Sequence, residues 1–311
     1  MKYMACILLV TANLFIIIMQ PTSASSFIIP SGENALIGNI KSTQATSNDT
    51  PTTLAQRYNI GLNAVVNANP GATEQTLTGG YVKIPTAFIL PALPHKGIII
   101  NLAEMRMYYY PEGTGNVMTF PVGIGKIGKT IPIQNTVVTR KAVNPVWIPP
   151  PDIRKYNREQ GIELPYKMEA GPDNPLGPYA IYLRIPTYLI HSTIFPESIG
   201  RRASFGCIRM NEGDIKEFFP LVKPGTFVAI INMPNKVGWD QGRLYLEAHP
   251  PLEEHDQGEQ TNLNNVLTTI ANALPSHGIT LVDWQLAAYI LQQPDGIPHE
   301  IGIKIPLTAR S

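Results

Sequence analysis

Cysteine is nearly missing from this 311-residue chain, which holds two, Cys6 and Cys207. Charge is sparse as well. Only 15% of residues are Asp, Glu, Lys or Arg, and 24 basic against 23 acidic side chains leave a net charge of +1. With no basic excess to track a phosphate backbone, nucleic acid is excluded as the main partner. Past the first twenty residues, no apolar run reaches the length that spans a bilayer. His95, His249, His255, His277 and His299 show no metal-ligand spacing to one another or to Cys207, so the sequence calls for no metal and no organic cofactor. What the chain does have is Pro (29) and Gly (25), about one residue in six, within a composition that is 44% hydrophobic. That is a globular composition favouring strands, turns and extended connectors over a helical bundle.

The N-terminus reads as a targeting segment. Lys2 precedes a mostly apolar stretch from Met4 to Met19, Gln20 and Pro21 end it, and Thr22-Ser23-Ala24 supplies small residues for cleavage after Ala24. The pattern predicts a secretory signal over 1–24, the core being short for an uncleaved span. The chain then meets a membrane only through this segment, before cleavage, and is exported. Cleavage removes Cys6. Cys207 alone remains, which excludes an intramolecular disulfide and leaves an inert thiol, an intermolecular bridge or a nucleophile.

Residues 25–37 read as an extended lead-in. Over 38–86, Leu54, Ala55, Tyr58, Ile60, Leu62, Val65 and Val66 predict two short amphipathic helices broken near Asn59–Gly61. Asp49 and Thr50 sit at a cap position ahead of Pro51. A weak strand from Gly38 to Ala45 and a firmer one at Tyr81–Ile84 enclose them. This order of strand, helix, helix, strand, with the phrase Asn67-Ala68-Asn69-Pro70-Gly71-Ala72, resembles the LysM module, which implies binding to cell-wall glycan. Residues 96–232 change pattern. Gly97–Asn101, Arg106–Tyr110, Val117–Gly123, Asn135–Val143, Pro178–Arg184, Tyr188–His191 and Thr226–Ile231 are strand candidates. The clear helix is Asp214–Val222, with Asn211 at its N-cap and Asp214 three positions on. Pro149-Pro150-Pro151 and the Lys167–Gly177 stretch mark long loops. Residues 233–311 form a small extension of unassigned role. In it a basic, Trp-containing strip leads to a polar linker over Glu253–Asn262, helical stretches at Asn264–Ala273 and Val282–Gln292, and a strand-like tail.

The chemistry concentrates in His191-Ser192-Thr193-Ile194-Phe195-Pro196-Glu197-Ser198-Ile199-Gly200-Arg201-Arg202-Ala203-Ser204-Phe205-Gly206-Cys207-Ile208-Arg209-Met210. A thiol needs a base to become a good nucleophile near neutrality, and an imidazole can take that proton and return one to a leaving amine. Gly206 lets the backbone approach a substrate, and the N–H groups of Gly206 and Cys207 are candidate donors to an oxyanion. A lone Cys and a lone His are as easily core residues. The residues between them decide.

That segment, with Asn174–Leu183 and Ile84–Pro111, resembles the L,D-transpeptidases, cysteine enzymes that cross-link peptidoglycan stems, and is closest to the periplasmic Gram-negative type. The resemblance implies a mainly β catalytic domain, a sandwich or barrel with long loops and one short helix. A small α+β LysM-like module precedes it and a small α+β extension follows. It implies Cys207 as nucleophile, His191 as general base and acid, and the Ser192 carbonyl as the group orienting His191, where Gly is more usual. Gly206 supplies an oxyanion N–H, and Arg209, Ser204, Phe205 and Arg201 stand at the substrate. The implied partners are a donor tetrapeptide stem and an amine, from an acceptor stem or a lipoprotein Lys. Water as acceptor makes the enzyme an L,D-carboxypeptidase. One departure stands out: the family has Ser-His-Gly-Cys, and here Phe205 replaces that His. This leaves two readings, an active enzyme with altered efficiency or a wall-binding paralogue without turnover.

Overall fold

The computed structural model describes residues 25–77, 80–256, 258–274 and 279–305. The targeting segment 1–24 and His277 lie outside the described residues. In chain order the elements are β1 (Ser25–Ile28), β2 (Leu36–Gly38), β3 (Lys41–Gln44), α1 (Pro51–Tyr58), α2 (Leu62–Asn67), β4 (Tyr81–Ile84), β5 (Ala87–Ile89), β6 (Gly97–Asn101), β7 (Arg106–Tyr110), β8 (Asn116–Pro121), β9 (Ile124–Gly125) and β10 (Asn135–Val143). Then come α3 (Pro151–Glu159), β11 (Tyr179–Leu183), β12 (Leu189–Ser192), β13 (Arg202–Ser204), β14 (Ile208–Met210), α4 (Glu212–Phe218), β15 (Phe227–Ile231), β16 (Asn235–Asp240), β17 (Arg243–Ala248), α5 (Glu259–Ala273), β18 (Ile279–Val282), α6 (Trp284–Gln292) and β19 (His299–Ile305). Among the described residues, no helix is long and apolar enough to cross a membrane.

The central sheet has nine strands in the order β1-β8-β7-β6-β15-β10-β11-β12-β14. β6 and β7 are apolar without alternation because both faces are covered. Ile98, Ile100 and Met107 enter the main core with Phe120, Ile181, Ile190, Ile208 and Phe218, whereas Ile99, Tyr108 and Tyr110 enter a second core with Ile37, Phe88 and Leu90. The sheet curls back on itself. β9 pairs with β13, and Gly123 bridges to Arg209 of β14, which joins the chain beyond β8 to the far end of the sheet. The architecture is mainly β, as the sequence predicts.

Several boundaries differ from the sequence reading. The lead-in is partly structural: β1 pairs antiparallel with β8 and extends the central sheet. The domain at 96–232 holds two α-helices, not one. The Pro run that reads as a breaker ends in Pro151, which opens α3 at its first turn, where a missing N–H costs nothing. α3 buries no residue, so it carries no apolar stripe to read. The helix expected at Asp214–Val222 begins at Glu212 and gives way to a 3₁₀ turn at Phe219–Leu221. Asn211 is its N-cap residue, but its side chain donates to the Asp214 carboxylate at 3.4 Å and caps no backbone N–H. The linker over Glu253–Asn262 contains a 3₁₀ turn and the start of α5. The Trp-containing strip is β16, half of a hairpin whose turn residues Gln241 and Gly242 both have positive φ (48° and 78°), the pairing a tight right-twisted hairpin requires.

β3 and β4 pair antiparallel around α1 and α2. The helices follow the predicted break. Thr50 and Thr53 form a reciprocal capping box, Pro51 opens α1, and Asn59 closes it with φ 49°. α2 has no side-chain cap. Its leading N–H groups are satisfied from outside the unit: Leu62 N donates to Ile199 O at 3.2 Å and Asn63 N to Gly200 O at 3.3 Å. A Cβ at Gly200 would fall 2.3 Å from Gly61 Cα and from Leu62 N, so this backbone-to-backbone approach requires glycine. Asn59 Nδ2 also donates to Asp214 Oδ1 at 2.8 Å.

The four-stranded sheet β16-β17-β19-β18 packs under α5 and α6 around Trp239, Leu246, Ile270 and Ile290. A buried ionic cluster joins it to the central sheet. Lys236 Nζ lies 2.9 Å from Glu104 Oε2, 2.8 Å from Glu247 Oε1 and 3.1 Å from the Tyr108 hydroxyl, and His249 Nε2 meets Glu247 at 2.7 Å. Glu104, Glu247 and His249 stand close enough to hold a metal ion, but the Lys236 ammonium supplies the cation there. Lys236→Met strands two buried carboxylates. It is expected to cost about 3–5 kcal/mol of unfolding free energy, read as a lower urea midpoint.

Asp214 gives a second test. Burial pushes its carboxyl up to about 7, against opposing hydrogen bonds from Asn59 and Asn211. The folded protein thus keeps a proton that the unfolded carboxyl, at its ordinary 3.8, has lost. The stability it contributes is full in acid and falls as pH rises from about 4 to about 7. Urea midpoints taken across that range should decline more steeply in the wild type than in Asp214→Asn, by a difference on the order of 2–4 kcal/mol. Parallel profiles would refute the assignment.

Candidate active site

β12 and β14 run parallel, with Ile190 opposite Ile208 and His191 opposite Arg209. Strand alternation sends Ile190, Ile208 and Met210 into the main core. His191, Arg209 and, one step before β14, Cys207 therefore share the opposite face of two adjacent strands. Ser204 and Gly206 shape the turn that delivers the sulfur. Ser204 Oγ accepts from Gly206 N at 3.0 Å and donates to Cys207 O at 2.6 Å. Gly206 has φ 112°, and a Cβ there would lie 2.5 Å from the Tyr188 ring and 2.8 Å from Lys129 O.

His191 is buried, and its Nδ1 is bonded to the Ser192 carbonyl. A carbonyl only accepts, so Nδ1 carries the proton and Nε2 keeps its lone pair. Burial first, and the nearby Arg209 charge second, push the imidazole down to about 4, against opposing backbone hydrogen bonds. It is neutral at pH 7. The Ser192 hydroxyl stitches the end of β12 to the preceding turn. It donates to Leu176 O at 3.0 Å and accepts from Tyr179 N at 3.0 Å. Gly177, with φ 60°, makes room for it: a Cβ there would lie 2.6 Å from Ser192 Oγ.

Cys207 is half-buried beside Leu176, Leu189 and Trp147. Its Sγ donates to Thr187 O at 3.6 Å, from a residue held at φ 71°. Among the described residues the sulfur and His191 form no hydrogen bond, and the thiol's own bond goes to the Thr187 carbonyl. Burial pushes the thiol up, opposed by a Leu189 backbone hydrogen bond and the Arg209 charge. The resting pair is thiol and imidazole, both neutral. Arg209 is half-buried and itself pushed down by burial. Its guanidinium lies 5.6 Å from the Phe195 ring centroid, and its Nε is buried with no partner among the described residues.

The other expected residues divide. Ser204 is buried, and its hydroxyl is bonded within the turn. The Gly206 N–H, expected at an oxyanion, donates to Ser204 Oγ here. Arg201 turns away to Glu74 at 2.6 Å, beside α2, and not to the site. Phe205 meets Tyr156 of α3 edge-on at 5.0 Å. Tyr156, Lys126, Thr187 and Trp147 went unnoticed in the sequence as site neighbours. Each lies far along the chain from Cys207 or carries no motif, and only the fold brings it close. Among the remaining histidines, His95 stacks on Tyr110 at 4.8 Å and His299 meets Asp295 at 2.9 Å.

Cys207 and His191 thus stand on one face of two paired strands, the thiol and the imidazole that acyl transfer would use. The YkuD family, an L,D-transpeptidase catalytic domain, matches residues 95–230. The chain is 37% identical over 289 residues to the probable L,D-transpeptidase YcfS of Escherichia coli, covering 90% of this chain and 89% of that protein. It is 42% identical over 235 residues to the probable L,D-transpeptidase YbiS of Escherichia coli, covering 74% and 76%. The solved catalytic domain of an E. faecium L,D-transpeptidase superposes with a TM-score of 0.35 at 23% identity, over 45% of this chain and 100% of that one. The chain belongs to the L,D-transpeptidase family, a family of transferases.

A thiolate–imidazolium pair gives alkylation a plateau below neutrality, whereas a raised thiol beside a neutral imidazole does not. Iodoacetamide labelling of Cys207 should climb steadily through pH 9. A shoulder between pH 4 and 6 would contradict the neutral pair.

Proposed function

We propose that this protein is an L,D-transpeptidase acting on peptidoglycan stem peptides through a Cys207 thioester. The observation that carries the reading is the common face of β12 and β14 that holds His191, Cys207 and Arg209. Substrate entry turns the sulfur from the Thr187 carbonyl toward His191 Nε2. Because the thiol is raised and the imidazole lowered, the proton moves as the sulfur attacks, not before. The sulfur adds to the carbonyl at the L-centre of the donor's third residue. With Gly206 N–H committed, the Cys207 N–H is the oxyanion donor. The tetrahedral species collapses, the bond to the terminal D-Ala breaks, and the protonated imidazole returns its proton to the departing amine. An acceptor amine then gives a proton to His191, attacks the thioester and restores the thiol. The acceptor is the amine of a second stem or a lipoprotein Lys. No cofactor enters these steps.

Arg209, a half-buried cation with an unpartnered Nε, is the site for a stem carboxylate. Residues 38–86 act as a LysM-like unit that holds wall glycan while the catalytic domain works on the attached stem. Export through residues 1–24 delivers the enzyme to the periplasm, where an acyl transfer driven by an existing peptide bond needs no ATP.

Acylation by a carbapenem, a β-lactam that opens on a nucleophilic thiol, followed by intact-mass measurement tests the nucleophile. One stable adduct is expected on the wild type and none on Cys207→Ala. With purified muropeptides, dimers mark transpeptidation and trimmed monomers mark the carboxypeptidase. Neither adduct nor product from folded protein would leave the wall-binding reading.

A further inference from the structure

The replacement of the motif His by Phe205 creates a feature that the reaction above leaves unused. Lys126 follows β9, and its backbone N–H donates to Ser204 O at 2.9 Å, which fixes it against the nucleophile turn. Its Nζ lies 4.9 Å from the Phe205 ring centroid and 4.6 Å from the Tyr156 ring centroid, and donates to the Tyr156 hydroxyl at 3.4 Å. The two rings meet edge-on. One ammonium thus sits on two aromatic faces, with a single residue separating Phe205 from Cys207.

The surrounding cations are accounted for. Arg201 is paired with Glu74, Arg202 with Glu254 and Lys129 with Asp152. Among the described residues, no carboxylate lies within ion-pair distance of Lys126 or Arg209. Aromatic faces hold a cation in place without neutralising it. Neither cation therefore has a carboxylate in direct contact, although Glu197 acts on Arg209 from further off. A tetrapeptide stem of the Gram-negative kind brings two carboxylates to the same place, one on the diamino acid and one on the terminal D-Ala. Phe suits the platform better than His. Its ring face is electron-rich and cannot take up a proton, whereas a protonated imidazole would repel the ammonium.

We propose that Lys126, seated on Phe205 and Tyr156, is a specificity-determining residue that receives a carboxylate of the donor stem, and that Phe205 stands beside the nucleophile as its platform. This deepens the stem-peptide reading above and rests on it. The ammonium offers charge and donors without fixed direction, so it reads the presence of the carboxylate more than its orientation. Arg209 takes the other carboxylate.

Binding separates this from catalysis. Three soluble disaccharide-tetrapeptides are titrated by calorimetry into the full chain carrying Cys207→Ala. The first has both carboxylates free, the second has the diamino acid's carboxylate amidated, and the third ends in D-alaninamide. The free stem is expected to bind about tenfold more tightly than either amide. Adding Lys126→Met should erase the preference over one amide, which identifies the carboxylate Lys126 reads, and leave the other; adding Phe205→Leu, which keeps bulk but loses the ring face, should reduce the same preference. Equal affinity for all three stems would overturn the proposal. So would survival of both preferences in Lys126→Met, or an equal weakening of all three stems by that change, which would mean that Lys126 only braces α3. Turnover by the chain with Cys207 intact is scored separately. A carboxylate preference lost in Lys126→Met without any turnover keeps the recognition role and removes the catalytic reading.

Discussion

The parallel pairing of β12 with β14 is the constraint on which the site depends. Its register sets Ile190 against Ile208, and the main core accepts both. Strand alternation does the rest, because residues two apart must share a face. A slip of one residue would turn His191 and Arg209 into the apolar core and push the aliphatic side chains into the site. The core's demand for apolar volume thereby fixes which side chains are free for chemistry. The nucleophile turn adds local precision: Ser204 holds both Gly206 and Cys207, and Gly206 occupies a backbone conformation closed to other residues.

The units before and after the catalytic domain are tied to the segment between His191 and Cys207. Arg201 pairs with Glu74 beside α2, and Arg202 pairs with Glu254, whose carboxyl is held down to about 2 chiefly by that bond. Backbone carbonyls at Ile199 and Gly200 cap α2, and Asn59 reaches Asp214 at the start of α4. The ionic cluster around Lys236 fixes the second sheet to β7 and the turn before it. Arg201, a substrate contact by resemblance, is thus paired with a residue of the preceding unit, whereas among the described residues Arg209 and Lys126 have no carboxylate in direct contact.

The resting chemistry is quieter than a preformed ion pair. Burial works on both partners in the direction that keeps each neutral: it lowers the imidazole and raises the thiol. Such a pair resists adventitious oxidation and alkylation, because the thiolate is the reactive form. The sulfur's bond to the Thr187 carbonyl has the same effect.

By itself the sequence determined the apolar strands, the paired helices of 38–86 and the chemistry-bearing run from His191 to Met210. These are local: β6, β7 and β10 have the predicted limits because apolar, β-branched and aromatic runs write themselves into any short window. Asn59–Gly61 breaks the helices because αL and extended backbone are needed there. Tertiary structure alone decided the rest. α3 has no apolar stripe, since it is held by side chains on one face of the nucleophile turn and not by burial. β1 is a strand because β8 offers an edge. Ser204, Gly206 and Arg201 carry motif letters, but their hydrogen-bonding groups are already used by partners that no spacing announces. A residue type states what a group can do. Which of its bonds are left for a substrate depends on neighbours brought from far along the chain, and only the folded molecule sets those.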